Sequence, residues 1–125
     1  MSLYDDLGGE PVLRRIVDRF VDRLFSDAMI GFFFARASKD RIKDKEFEFA
    51  AEHLGGGVAY TGRPLTAAHS AHQIFDGQFL RRLQILKETL DEFGVPEPVR
   101  KHWIEHTLSQ RSLLVQGPCN PDVKE

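Results

Sequence analysis

Two histidines three residues apart, His69 and His72, sit in the stretch PLTAAHSAHQIFDGQF, between a proline-marked entry and an apolar run that ends in Phe79. Imidazole ligates metals and moves protons near neutral pH, so these two and the remaining histidines, His53, His102 and His106, are where chemistry has to be sought first. Each has an ordinary structural reading as well. His53 follows a glutamate near the end of a helical stretch, where an imidazole can meet the terminal carbonyls. His102 and His106 lie one helical turn apart in HWIEH, a ligand spacing, but the zinc-peptidase pattern needs glutamate where Trp103 stands. A carboxylate-bridged di-iron bundle needs glutamate three residues before a ligating histidine, and none of the histidines has it. His69 and His72 differ from the others in their apolar neighbours Leu65, Ile74, Phe75 and Phe79. A haem requires one axial imidazole, aromatic and aliphatic walls, and cations at the rim for its propionates. The chain has these residue types, yet a phenylalanine-rich helical core with an incidental histidine has them too, so spacing alone leaves both readings open.

The elements that must position these groups follow a helical period, and no sustained strand alternation is present, so the fold class is all-α. Pro11 marks the start of a helix on which Val12, Leu13, Ile16, Val17, Phe20, Val21, Leu24 and Phe25 form one broad face. A short helix over Leu3 to Leu7 precedes it and closes at Gly8-Gly9. After the aromatic run Gly31-Phe32-Phe33-Phe34, Ser38 or Asp40 caps a helix that stops at Gly55-Gly56-Gly57. From Asp76 to Phe93 the residues Phe79, Leu83, Leu86, Leu90 and Phe93 share one face, and Gly94 ends that helix. Pro96 and Pro98 start the last one, with Val99, Trp103, His106 and Leu113 along its seam. At 125 residues the chain holds a single core: one domain over residues 1–116, then a tail, 117–125, expected to be disordered. Periodicity does not separate a four-helix bundle from a globin-like crossing arrangement, because both use the same stripes.

Composition narrows the partners. The 17 Lys and Arg are scattered among 19 Asp and Glu for a net charge of -2, which gives no basic footprint for nucleic acid. No apolar run approaches the roughly 18 residues of a membrane span, and the start lacks a signal-peptide pattern, so the cytoplasm is expected. The single cysteine, Cys119, forms no intrachain disulfide and fits a reducing compartment.

The segments LYDDLGG, PVLRRIVDRFVDRL, Phe33-Phe34, RIKDKEFEFAAEHLGG, YTGRPL and AAH, with Ile74, Phe79 and FGV, resemble the truncated haemoglobins, most closely their group I branch. The resemblance runs from about residue 3 to residue 115 with scarcely a gap. It implies a truncated globin fold, a two-over-two helical sandwich around haem b, whose iron is held by His69 and not by His72. It also implies a haem wall built from Phe34, Ile42, Leu65, Ile74 and Phe79, with Lys45 and Tyr60 at positions that meet a propionate. On the distal side the chain departs from the family. The tyrosine that usually donates to bound ligand is Val21, its neighbour Phe20 has no hydroxyl, and Glu46 stands where glutamine is common.

On a helix Ile42, Glu46, Phe49, Ala50 and His53 share one face, so Glu46 points where apolar residues point. A buried carboxylate has to be neutralised, paired or hydrogen-bonded. Arg82, between Phe79 and Leu86 at helical spacing, is the candidate partner; the alternative is that both side chains turn to solvent. Arg82, or a protonated Glu46, would donate to bound O2, and an arginine over haem would also polarise peroxide or attract anions. The resemblance therefore implies a diatomic gas ligand (O2, NO or CO) bound by a monomer or weak dimer. The role is oxygen binding or transport, or NO or peroxide detoxification served by a reductase, with no catalytic residue assigned. Two further classes stay open: a six-coordinate haem sensor or redox protein, and a haem-free interaction module.

Overall fold

The structure is a computed structural model and describes residues 2–61 and 76–111. His69, His72, Leu65, Ile74, Leu113 and the expected C-terminal tail lie outside the described residues. Ser2 opens helix α1 (Leu3–Leu7) by accepting the Asp5 N–H on its hydroxyl oxygen at 3.1 Å, which satisfies a donor that the first turn leaves unpaired. Gly8, at φ 123°, turns the chain directly into α2 (Gly9–Ser26). Any other residue there is disfavoured twice over, by the left-handed backbone and because a Cβ would lie 2.5 Å from Val12 Cγ2. α2 begins two residues before Pro11, which places Pro11 in the first turn as its type suggests; its missing N–H is harmless there because first-turn amides have no helical acceptor.

The expected stripe of α2 is the centre of the core. Leu13, Ile16, Val17, Phe20, Val21 and Leu24 are buried, and Val12 and Phe25 flank them half-buried. Asp27 then pins the turn that follows. Its side chain, 7% exposed, accepts the amides of Met29 and Ile30 at 3.0 and 3.1 Å and two N–H groups of Arg81 at 2.9 and 2.6 Å. A single 3-10 turn, Gly31–Phe34, leads to α3 (Lys39–His53), which is capped by Ser38 and not by Asp40. The end of α3 is a glycine-dependent wrap: Gly56 N–H donates to Ala51 O and Gly55 N–H to Glu52 O, with Gly55 at φ 85°.

α4 (Asp76–Glu92) buries Phe79, Leu83, Leu86 and Leu90 as its spacing predicts, and adds Ile85 and Thr89. Thr89 is tolerated at 0% exposure because its hydroxyl donates to Ile85 O and accepts from Arg23, each at 2.9 Å. α5 (Glu97–Ser109) buries Val99, Trp103 and Thr107, a strict four-residue step, which leaves His106 half-buried beside the seam. α2 is the common support. It packs on α3 and on α4, α1 crosses α2 and α5, and α4 meets α5, whereas α3 and α4 approach each other less closely than either approaches α2. Among the described residues all regular structure is helical and no helix is long and apolar enough to cross a membrane.

Candidate functional site

The space between α3 and α4 is bridged by the two charged side chains that face each other across it. Arg82 Nη2 donates to both carboxylate oxygens of Glu46, at 3.1 and 2.9 Å. Neither turns away to solvent: the side chains are 26% and 28% exposed. The pair rests on the α2 support, where the Arg82 guanidinium carbon lies 5.0 Å from the centroid of the Phe20 ring, a cation–π contact. Val21, next to Phe20, is fully buried, so at this level α2 offers the pair carbon and no hydrogen-bond donor. Ile42, one turn before Glu46, packs half-buried against the core. Phe79, one turn before Arg82, is 2% exposed. Ile42, Glu46, Phe79 and Arg82 thus make a surface with apolar positions beside one polar couple.

At the edge of this surface Lys45 donates to Thr61 Oγ1 at 2.7 Å, and the amide and hydroxyl of Thr61 both donate to Glu48 Oε1, at 2.8 and 2.6 Å. Those bonds hold the Glu48 carboxyl below its usual range, with Lys45 adding to the effect. Tyr60 sets its ring edge-on to Phe49 at 5.4 Å, and its amide donates to Glu52. Phe34 stacks on Phe25 at 4.8 Å rather than standing alone. Of the residues expected from sequence, Phe20, Glu46 and Arg82 come together, Val21 is buried in the core and Ile42 packs against it, Lys45 and Tyr60 share a neighbouring turn, and His69, Leu65 and Ile74 lie outside the described residues.

A second cluster escaped the sequence reading. His53, at the end of α3, stacks on His106 of α5 with ring centroids 3.9 Å apart and planes 12° apart, and His102 lies 5.3 Å from His53. His53 is not the cap of its own helix: His102 Nε2 meets the His53 carbonyl at 3.0 Å, and since a carbonyl only accepts, His102 carries its proton on Nε2. Nδ1 of His53 and Nδ1 of His106 are buried without a hydrogen-bond partner among the described residues. Burial pushes His53 down to about 3, and the neighbouring imidazoles of His106 and His102 add to the fall. His106 is lowered by burial and then by His102, with Glu52 acting in the opposite sense. The rings lie face to face rather than with converging nitrogens, and among the described residues no group of His, Cys, Asp or Glu is arranged to hold a metal ion. The one signal in the sequence was the i, i+4 spacing of His102 and His106 on a helix that has to return to the Gly-marked end of α3.

An all-helical sandwich in which two helices share one support and are bridged by a polar pair is globin-like architecture. Residues 2–112 match the family described as Bacterial-like globin, and the chain belongs to that family. A group 1 truncated hemoglobin of Mycolicibacterium paratuberculosis is 35% identical over 95 residues, 76% of this chain and 70% of that one. A crystal structure of the truncated hemoglobin of Tetrahymena pyriformis superposes with a TM-score of 0.85 at 25% identity, covering 92% of this chain and 98% of the other. That structure carries a tyrosine-to-phenylalanine substitution, and two further structures of the same protein carry glutamine-to-glutamate substitutions. A 2/2 hemoglobin of Synechococcus sp., solved in the cyanomet state with covalently attached heme, shares the fold with a TM-score of 0.81 at 23% identity, covering 91% and 98%.

Proposed function

We propose that the protein is a globin that binds haem b through His69 and takes a diatomic gas, O2 or NO, on the side lined by Phe20, Ile42, Glu46 and Arg82. The observation that carries this reading is the Glu46–Arg82 bridge between α3 and α4, two helices that pack on α2 more than on each other. The donor set fits the group: Phe20, Ile42 and Phe79 present carbon to a flat apolar macrocycle, and Glu46 and Arg82 supply the only charges at the centre of that surface among the described residues. Phe34, Leu65 and Ile74 complete the wall in this reading, and Lys45 and Tyr60 stand for the rim, Lys45 being able to exchange Thr61 for a propionate.

The positions substituted in the Tetrahymena structures, one tyrosine and two glutamines, are spaced along their chain as Val21, Ile42 and Glu46 are spaced here, which supports placing these three residues together on the ligand side. Bound haem would supply the iron that carries the gas. The chain supplies the rest: Val21 removes the phenol, Ile42 and Phe20 keep water out, and Arg82, oriented by Glu46, is the hydrogen-bond donor at hand. The same reading keeps the cytoplasm as its location and a reductase as the partner of any turnover.

The test is an optical spectrum of the purified protein in ferric, ferrous and CO-bound forms. A Soret band is expected in the native protein and its loss on gel filtration in His69→Ala; a colourless protein that takes up no hemin would overturn the reading.

A further inference from the structure

We infer that Arg82 selects the ligand of this site, favouring anions and negatively polarised acceptor atoms over neutral ligands. The inference rests on the haem reading above and deepens it.

It starts from how little of Arg82 is used. Glu46 engages Nη2 alone, with both of its oxygens on that one nitrogen. The N–H groups on Nη1 and Nε reach no acceptor among the described residues. Other arginines of the chain are spent differently. Arg81, one residue earlier, places Nε and Nη2 together on Asp27. Arg100 does the same on Asp91, and Arg111 on Asp76. Those forks saturate the guanidinium edge that recognises a carboxylate, and they hold helices and turns in place.

Arg82 is less exposed than Arg81 or Arg111, 26% against 39% and 44%, and yet keeps more donors in hand. A partly buried guanidinium with unspent N–H groups is a recognition surface, because those groups gain a partner only when a ligand arrives.

The chemistry of the ligand follows from the chemistry of the donor. A guanidinium has five N–H groups and no acceptor, so it rewards an atom that carries negative charge and gives nothing to one that does not. Glu46 is a positioning residue. Its carboxylate fixes one nitrogen, and Phe20 beneath the guanidinium fixes the plane, so the free edge is oriented before the ligand binds. Val21 and Ile42 contribute no competing donor, which leaves discrimination to Arg82. Azide, fluoride and nitrite belong to the favoured class, as does the partly negative outer atom of bound O2; imidazole does not.

The experiment titrates the ferric, haem-loaded protein with fluoride, an acceptor-only anion, and with imidazole, a neutral ligand, in the native chain, Arg82→Leu, Arg82→Lys and Glu46→Gln. Arg82→Leu is expected to weaken fluoride about tenfold or more, the loss of one charge-assisted hydrogen bond, while imidazole affinity stays within about threefold. Arg82→Lys and Glu46→Gln each retain part of the fluoride affinity, the first because a cation stays, the second because the guanidinium stays but loses the carboxylate that orients it. The carbonyl stretch of the ferrous CO form should move to higher wavenumber in Arg82→Leu, a readout that a purely structural arginine would not shift. If Arg82→Leu binds fluoride like the native protein with an unmoved CO stretch, the inference falls and the haem reading stands, because both proteins then show a Soret band. If Glu46→Gln loses fluoride as severely as Arg82→Leu, Glu46 is the contacting group and the inference is wrong. A native chain that takes up no hemin overturns the parent reading and this inference with it.

Discussion

The stacked histidines at the α3–α5 seam predict an acid-sensitive stability that one substitution should remove. His53 is held neutral in the fold, pushed to about 3 by burial and by the imidazoles of His106 and His102. In the unfolded chain it returns to an ordinary value near 6.5. The unfolded state therefore takes up the proton first, and stability falls as pH drops below about 6.5 and continues to fall towards about 3. Structurally, protonation would place a donor on Nδ1, which is buried without an acceptor among the described residues, and a cation beside two other imidazoles. One such group costs about 2 kcal/mol between pH 7 and pH 5 at roughly 1.4 kcal/mol per pH unit per proton. His53→Phe keeps a flat ring against His106, Phe49 and Trp103 and cannot titrate. Urea unfolding of both proteins at pH 7, 6 and 5 should show the loss between pH 7 and 5 to be about 2 kcal/mol smaller in the variant, carboxylate contributions being common to both. Equal pH dependence in the two proteins, or an NMR titration of His53 near its ordinary value in the folded state, would refute the reasoning.

Two further substitutions probe what holds the site's supports. Asp27→Ala removes the cap on the turn after α2 and the acceptor of Arg81, and should cost about 1–3 kcal/mol in chemical denaturation. The Asp27 carboxyl is held below its usual range first by Arg81, so its contribution is present above about pH 4 and is lost as pH falls through its lowered value; the variant should lack that part of the acid response. Gly55→Ala forces an L side chain to φ 85° with its Cβ 3.2 Å from Ser2 Cβ, and should lower stability by about 1–2 kcal/mol while leaving the far-UV helical signal intact.

What was legible in the sequence is what local physics writes there. The stripe of α2 repeats every three or four residues because one face must be buried, and its buried residues are the ones the period singles out. Ser38 and the glycines after His53 act through backbone groups within a few residues, so they too are readable, and only the choice between Ser38 and Asp40 needed coordinates. Contacts between distant segments carried no such mark. Thr89 looked like a polar interruption, and its burial depends on Arg23, 66 residues away. His53 looked like a cap for its own helix, and the cap is supplied by His102, 49 residues on. Glu46 and Arg82 were each as compatible with solvent as with each other, since long side chains can swing either way and only the packing of both helices on α2 sets the distance.

One stripe of α3 serves two purposes, and its chemistry changes along its length for that reason. Ile42 and Glu46 lie towards α4, where a charge is tolerated because Arg82 pairs with it. Phe49 and His53 face α5 and the turn at Tyr60, where the same stripe meets stacked rings and burial keeps His53 neutral. An imidazole in place of Glu46 would leave Arg82 without the acceptor that aims it. The two ends are about 10 Å apart along the helix, which is far enough for the acid response of one and the ligand preference of the other to be changed independently. The charge on this stripe of α3 is thus placed where a side chain of a partner helix answers it, and the titratable group at the other end is kept neutral among stacked rings.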